Sequence, residues 1–162
     1  MKKMSIVLAI IAIFLAGFIS SFLISRKYFN DSLSILYTQN NAFEANEMDK
    51  IIANTSDIDV KINATVHFIN YVENQVNNYK FKISPELKHD LVVSYVKTYK
   101  LYLQKNDNIT SNNYLVKGFD IAKEGAFVPW IKSFKTIRSK EDLIDYVNEL
   151  DKIVNRANKT VK

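Results

Sequence analysis

Cysteine is absent from this chain of 162 residues, and glycine and proline are scarce, at three and two residues. Without cysteine there is no disulfide framework, no zinc–thiolate site, no thiol redox chemistry and no cysteine nucleophile. A dinucleotide or P-loop cradle needs several glycines close together where the backbone meets phosphate. After Gly17 only Gly118 and Gly125 remain, so no such cradle and no cofactor of that kind is expected.

A field of basic charge is also missing, although the formal net charge of +5 hints at one. Lys2, Lys3, Arg26 and Lys27 account for four of the 22 basic residues, which leaves residues 28–162 with 18 basic against 17 acidic side chains. A balance of +1 gives nothing with which to neutralise a phosphate backbone, so nucleic acid is excluded as a partner.

What the sequence does hold is one long uncharged run. Met4 to Ser25 is 22 residues without a charge, 17 of them apolar. At 1.5 Å per residue such a helix is ~33 Å long, about the thickness of a bilayer's hydrocarbon core. A cleaved signal peptide has a shorter apolar region and a small-x-small pair before the cut, and no two small residues stand two apart here. Residues 1–27 therefore read as an uncleaved signal anchor, a single-pass transmembrane helix. Two lysines and the amino terminus on the short flank oppose Arg26 and Lys27. That balance predicts the N-terminus inside the cytoplasmic (inner) membrane and residues 28–162 on the extracytoplasmic, periplasmic side. Small residues recur along the span in two neighbouring rows, one holding Gly17 and Ser21, the other Ala12, Ala16 and Ser20. Such rows let membrane helices approach closely, so they are candidates for packing against a second helix, a copy of this chain included.

Residues 28–162 are 44% apolar (59 of 135), enough to build a core. Their periodicity is helical throughout. The segment from Asp31 to Asn54 either continues the membrane helix or restarts at a cap among Asn30, Asp31 and Ser32. Asn54–Asp57 offers caps before Ile58, Ile62, Val66, Ile69, Val72, Val76 and Tyr79, a stripe of 3.6-residue period. Ser84 and Pro85 open a further helix carrying Leu87, Leu91, Tyr95, Tyr99 and Tyr102, expected to be the most buried. Ser111, Asn112 and Asn113 are candidate caps for a shorter helix ending near Gly125. Ser139 with Asp142 three residues on starts the last, with Leu143, Val147, Leu150, Val154 and Ala157 as a strip for its own domain. The predicted fold is all-α: an N-terminal transmembrane helix followed by a bundle of about four to five helices.

Candidate chemistry is thin. His67 and His89 lack a ligand partner at i+4, so no metal site is expected. Glu86 lies three before His89 and could orient it as a general base, although a surface ion pair explains the same spacing. Glu141, Asp145 and Glu149 share one helix face, best read as solvated. Ser94-Tyr95-Val96-Lys97 is one unsupported Ser-x-x-Lys match. Phe127, Trp130 and Phe134 with Lys132 and Lys135 form a candidate membrane or partner contact, against the alternative of a buried turn. The resulting expectation is a membrane-anchored helical protein-interaction module, a subunit or adaptor of an envelope complex and not an enzyme. An anchored inhibitor of the immunity type is the alternative, and an envelope-acting enzyme using His89 and Glu86 ranks below both.

Overall fold

The computed structural model describes residues 2–79, 84–123 and 136–160, with side chains from Ile13 onward except at a few helix positions. Among the described residues it is all-helical: α1 (Lys2–Asn54), α2 (Ile58–Tyr79), α3 (Pro85–Gln104), α4 (Asn108–Lys123) and α5 (Lys140–Thr160). The chain divides into two compact units, residues 1–40 and 41–162.

The first unit is a stretch of α1 alone. No restart occurs at Asn30–Ser32, where the helix runs on. The side chains of Ile13, Phe14, Leu15, Phe18, Ile19, Phe22, Leu23 and Ile24 all stand exposed, by 55–79%. Among the described residues no helix is long and apolar enough to cross a membrane. Those described side chains begin at Ile13 and so cover 13 of the 22 residues in the uncharged run Met4–Ser25.

The second unit is the bundle, and short polar signals start its helices. Asp57 caps α2, its Oδ1 accepting from the Asp59 and Val60 N–H groups at 2.8 and 3.3 Å. Ser84 Oγ accepts from Leu87 N–H at 3.2 Å, with Pro85 in the first turn of α3. Ser139 Oγ accepts from Asp142 N–H at 3.0 Å while the Asp142 carboxylate accepts from Ser139 N–H at 3.1 Å, a reciprocal capping box on α5.

The fourth helix departs from expectation at its start. Asn106 adopts a left-handed conformation, φ 60°, and ends α3 with Asn106 N–H to Leu103 O and Asp107 N–H to Tyr102 O. This is a Schellman turn with asparagine in place of glycine. Asp107 then caps α4, its Oδ1 accepting from Thr110 N–H at 3.1 Å. Ser111, taken from sequence as a cap, is instead fully buried and donates its hydroxyl to Tyr99 O at 3.1 Å. Gly125 lies outside the described residues.

Helix α3 is the centre of the bundle, packing on α2, α4 and α5. Val92, Val93 and Val96 join Leu115 of α4, Ile137, and Leu143, Tyr146 and Val147 of α5 in one apolar cluster. Leu91 and Tyr95 meet Met48 of α1 and Phe68, Ile69 and Val72 of α2 in a second. Two faces of one helix thus supply both cores. On α2 the buried face is offset from the apolar stripe, since Thr65 and Phe68 are buried while Val66 is only half-buried. The Thr65 hydroxyl can sit there because it donates to Ile62 O at 2.9 Å. Leu143 and Val147 pack within the bundle with Leu150 against them, as expected of a strip facing its own domain, while the side chains of Val154 and Ala157 lie outside the described ones.

Candidate functional site

Within the bundle unit, one stripe of α3 lines an open cleft of about 550 Å³. His89 and Asp90 stand at one end of it and Lys97 and Lys100 further along, with Asp49 from α1, Lys61 from α2 and Asp151 from α5 opposite. The floor is apolar, formed by residues such as Ile52, Val93 and Leu150. Charge in the cleft is paired across helices: Lys97 Nζ meets Asp49 Oδ1 at 2.7 Å and Lys100 Nζ meets Asp151 Oδ2 at 3.1 Å. Three lysines against three aspartates leave the lining near neutrality.

His89 is fully buried, at 1% exposure. Its Nε2 lies 2.6 Å from the hydroxyl of Tyr146 on α5, and Nδ1 lies 3.4 Å from Asp90 Oδ1. A carboxylate can only accept, so in the Asp90 contact Nδ1 is the donor, while Nε2 stands within hydrogen-bond reach of the Tyr146 hydroxyl. The two rings also meet edge to face, centroids 5.9 Å apart at 89°. This joins α3 to α5 and engages both ring nitrogens that a general base would need. Glu86 does not play the orienting role: its carboxylate is exposed at the start of α3, and its pKa is lowered by its own backbone N–H and by the Ser84 hydroxyl. The surface ion pair fails as well, because His89 is interior.

The remaining candidates resolve separately. His67 is exposed, its Nε2 3.9 Å from Glu44 Oε2. Glu141 and Asp145 are exposed, and Glu149 is 3.1 Å from Lys152, so the acidic row is a solvated face. The Ser94 hydroxyl donates back to Asp90 O at 2.8 Å inside α3 while Lys97 is held by Asp49, which gives neither the role of nucleophile or base. Among the described residues no group of three or more His, Asp or Glu is arranged to hold a metal. Phe127, Trp130, Lys132, Phe134 and Lys135 lie outside the described residues. So does the side chain of Ala12, whereas Ala16, Gly17, Ser20 and Ser21 are exposed on α1. A Cβ on Gly17 would meet nothing within 4 Å.

Sequence reasoning missed two buried polar pairings. Tyr146 falls beside the α5 stripe and Glu73 beside the α2 stripe, so neither stands out by pattern. Glu73 accepts a hydrogen bond from the hydroxyl of the fully buried Tyr95. Burial, then the Glu73 hydrogen bond and charge, push the Tyr95 phenol far above its ordinary range. Burial also raises Tyr114, followed by Tyr102 and Glu73. Tyr114 stacks on Tyr102 at 5.5 Å and tilts against Tyr95 at 6.1 Å, so these rings seal α3 to α4.

A second recess, about 280 Å³, is apolar. Met48 and Ile51 of α1 and Val60, Ala64 and Phe68 of α2 line it, with Glu44, Glu47 and His67 at its rim. Ile51 and Val60 remain 41% and 42% exposed. Compared with protein-family models, with curated proteins and with solved structures, the chain matches none.

Proposed function

We propose that this is a single-pass membrane protein whose extracytoplasmic helical bundle binds another protein, as a subunit or adaptor of an envelope complex. The observation that carries the reading is the first unit: eight large apolar side chains between Ile13 and Ile24, exposed around the helix. In water, so large a contiguous apolar surface is a liability; in lipid it is the ordinary outer face of a helix. The uncharged run from Met4 to Ser25 supplies the length, and Lys2, Lys3, Arg26 and Lys27 bracket it.

Two features support protein binding by the bundle. Four of the six charged side chains lining the cleft are spent on one another, which disfavours an ionic ligand. The α1–α2 recess offers apolar surface with a polar rim, the makeup of a protein contact. Vesicle flotation of the full-length chain tests the anchor: resistance to alkaline carbonate is expected, and release into the soluble fraction sinks it. Detergent extraction with mild cross-linking tests the partner. A stoichiometric companion that is lost on Ile51→Asp or Val60→Asp supports the reading, and recovery of the chain alone counts against it.

A further inference from the structure

Along α1 the large apolar residues Leu8, Leu15, Phe22, Phe29, Leu36 and Phe43 recur at an interval of seven. Four of them, Leu15, Phe22, Phe29 and Leu36, lie in the first unit with described side chains, exposed by 55, 58, 64 and 54%. Four residues after Leu15, Phe22, Phe29 and Leu36 come Ile19, Arg26, Leu33 and Asn40. These two series are the d and a positions of a heptad, and a strict seven-residue repeat is the period of a helix wound on another helix. Inside lipid any residue is apolar, so the informative part is the segment after Arg26. There Phe29, Leu33 and Leu36 stand on one side at d and a, whereas exposed Tyr28 and Ile35 fall at outer c positions and Lys27, Asp31, Ser34 and Thr38 at the outer b and f positions.

We infer that this face is covered by a second copy of the same chain, in a parallel, in-register coiled coil from Leu15 to Asn40. Two observations choose a copy over a different helix. The flanking e and g positions across this stretch are Ala16, Leu23, Asn30 and Tyr37, and Phe18, Ser25, Ser32 and Gln39, none of them charged. Partner choice between unlike helices is usually written in those positions as opposite charges, and their absence leaves identical chains free of repulsion at e and g. Asn40, exposed at an a position, carries both donor and acceptor, so its side chain satisfies its own copy and fixes register and orientation. The area also suffices: at roughly 200 Å² for a full side chain, Leu15, Ile19, Phe22, Phe29 and Leu36 offer about 570 Å² per copy and about 1,100 Å² for the pair, within reach of a specific interface.

Arg26 departs from the pattern. It falls where the uncharged run ends, and its long side chain has the reach to carry the guanidinium outward to headgroup level, away from the same residue of the copy. The parallel direction rests on the proposed membrane anchor, since two copies inserted alike necessarily point the same way.

Because the chain has no cysteine, single substitutions in the full-length protein test this directly. Phe29→Cys, Leu33→Cys, Leu36→Cys and Asn40→Cys are compared with Lys27→Cys, Asp31→Cys and Ser34→Cys in lipid vesicles holding purified protein, under mild oxidation. All seven positions lie outside the bundle unit, whose folding each variant should keep by circular dichroism. Disulfide geometry is met only where Cβ atoms come close, so dimer yields at 29, 33, 36 and 40 should exceed those at 27, 31 and 34 by about five-fold or more. A flat pattern, no dimer, or maxima on the polar positions overturns the seam. In native membranes, an adduct whose mass is not twice that of the chain overturns the choice of a second copy. Flotation of the same samples reports on the anchor independently, so a floating chain with a flat pattern rejects the seam while leaving the anchor standing.

Discussion

Substituting Gly118 sets two opposing effects of known size against one another. Gly118 is buried within α4, where glycine ordinarily weakens a helix by ~1 kcal/mol relative to alanine. At an unobstructed position, Gly118→Ala would therefore stabilise the protein by about that amount. Here a Cβ would come 2.9 Å from Tyr95 Cβ, with Tyr95 Cγ at 3.6 Å and Val92 O at 3.7 Å. The obstacle is no flexible tip. Tyr95 is fully buried, its hydroxyl donates to Glu73 and its ring lies against Tyr114, so the base of that side chain moves only if α3 and α4 separate.

Overpacking of this kind costs ~1–3 kcal/mol. With ~2 kcal/mol as the central value and ~1 kcal/mol returned by helix propensity, Gly118→Ala should destabilise by about 1 kcal/mol. For a bundle of this size the melting temperature should fall by about 4 °C, where an open site would raise it by a similar amount. Asn112→Ala, exposed on the same helix, is the control and should be neutral or slightly stabilising. The assay is thermal and urea unfolding of full-length protein in detergent, followed by circular dichroism. A Gly118→Ala protein as stable as the parent, or more so, would refute the close approach of α3 and α4 and with it the packing of the central helix.

Three further outcomes follow from buried polar contacts and caps. Tyr146→Phe removes the hydroxyl that meets His89 Nε2 at 2.6 Å and should cost about 1–3 kcal/mol in urea unfolding; an unchanged midpoint would mean that this buried bond adds nothing. Ser139→Ala breaks one arm of the α5 capping box and should cost ~1 kcal/mol, read as faster amide exchange in the first turn of α5 as well as a lower midpoint. The Tyr95 phenol is raised above its ordinary value of 10 in the folded state, while the unfolded chain ionises near 10. The folded state therefore holds a proton that the unfolded state releases, and its advantage, complete below pH 10, declines as pH rises above it. Tyr95→Phe should flatten that alkaline decline, and a parallel pair of pH–stability curves would count against the Glu73–Tyr95 account.

What the sequence made legible is what local chemistry decides. The starts of α2, α3 and α5 were readable because Asp57, Ser84 and Ser139 satisfy N–H groups two or three residues away, a matter internal to each segment. The start of α4 was not, because serine and aspartate compete as caps and the choice depends on the turn before them. Once Asn106 reverses the chain, Asp107 is already in place, and Ser111 is carried into the interior opposite Tyr99 O. Pairings across the bundle were out of reach for the same reason. His89 and Tyr146 stand 57 residues apart and Tyr95 and Glu73 stand 22 apart, so their meeting is fixed by how α3 packs on its neighbours. The offset of Phe68 and Thr65 on α2 has that origin too: the apolar stripe says that a face is buried, while the approach of α3 and of Met48 decides which residues lie at its centre.

The near-neutral charge of residues 28–162 gains meaning from where the charges stand. Lys97 with Asp49, Lys100 with Asp151 and Lys105 with Asp59 each join residues more than 45 apart in sequence, and so link helices to one another. Exposed pairs of this kind contribute little stability singly. Their consequence is for recognition: at these three pairs a charged partner would have to displace an intramolecular carboxylate or ammonium that is already in contact, gaining one ion pair and losing another. Apolar contact carries no such exchange. The exposed Ile51 and Val60 of the α1–α2 recess, and the Phe29 and Leu36 face of α1, bury area against a partner without breaking any contact described within the chain. Partner binding should accordingly weaken little between low and moderate salt, whereas binding led by ion pairs would fall steeply over the same range.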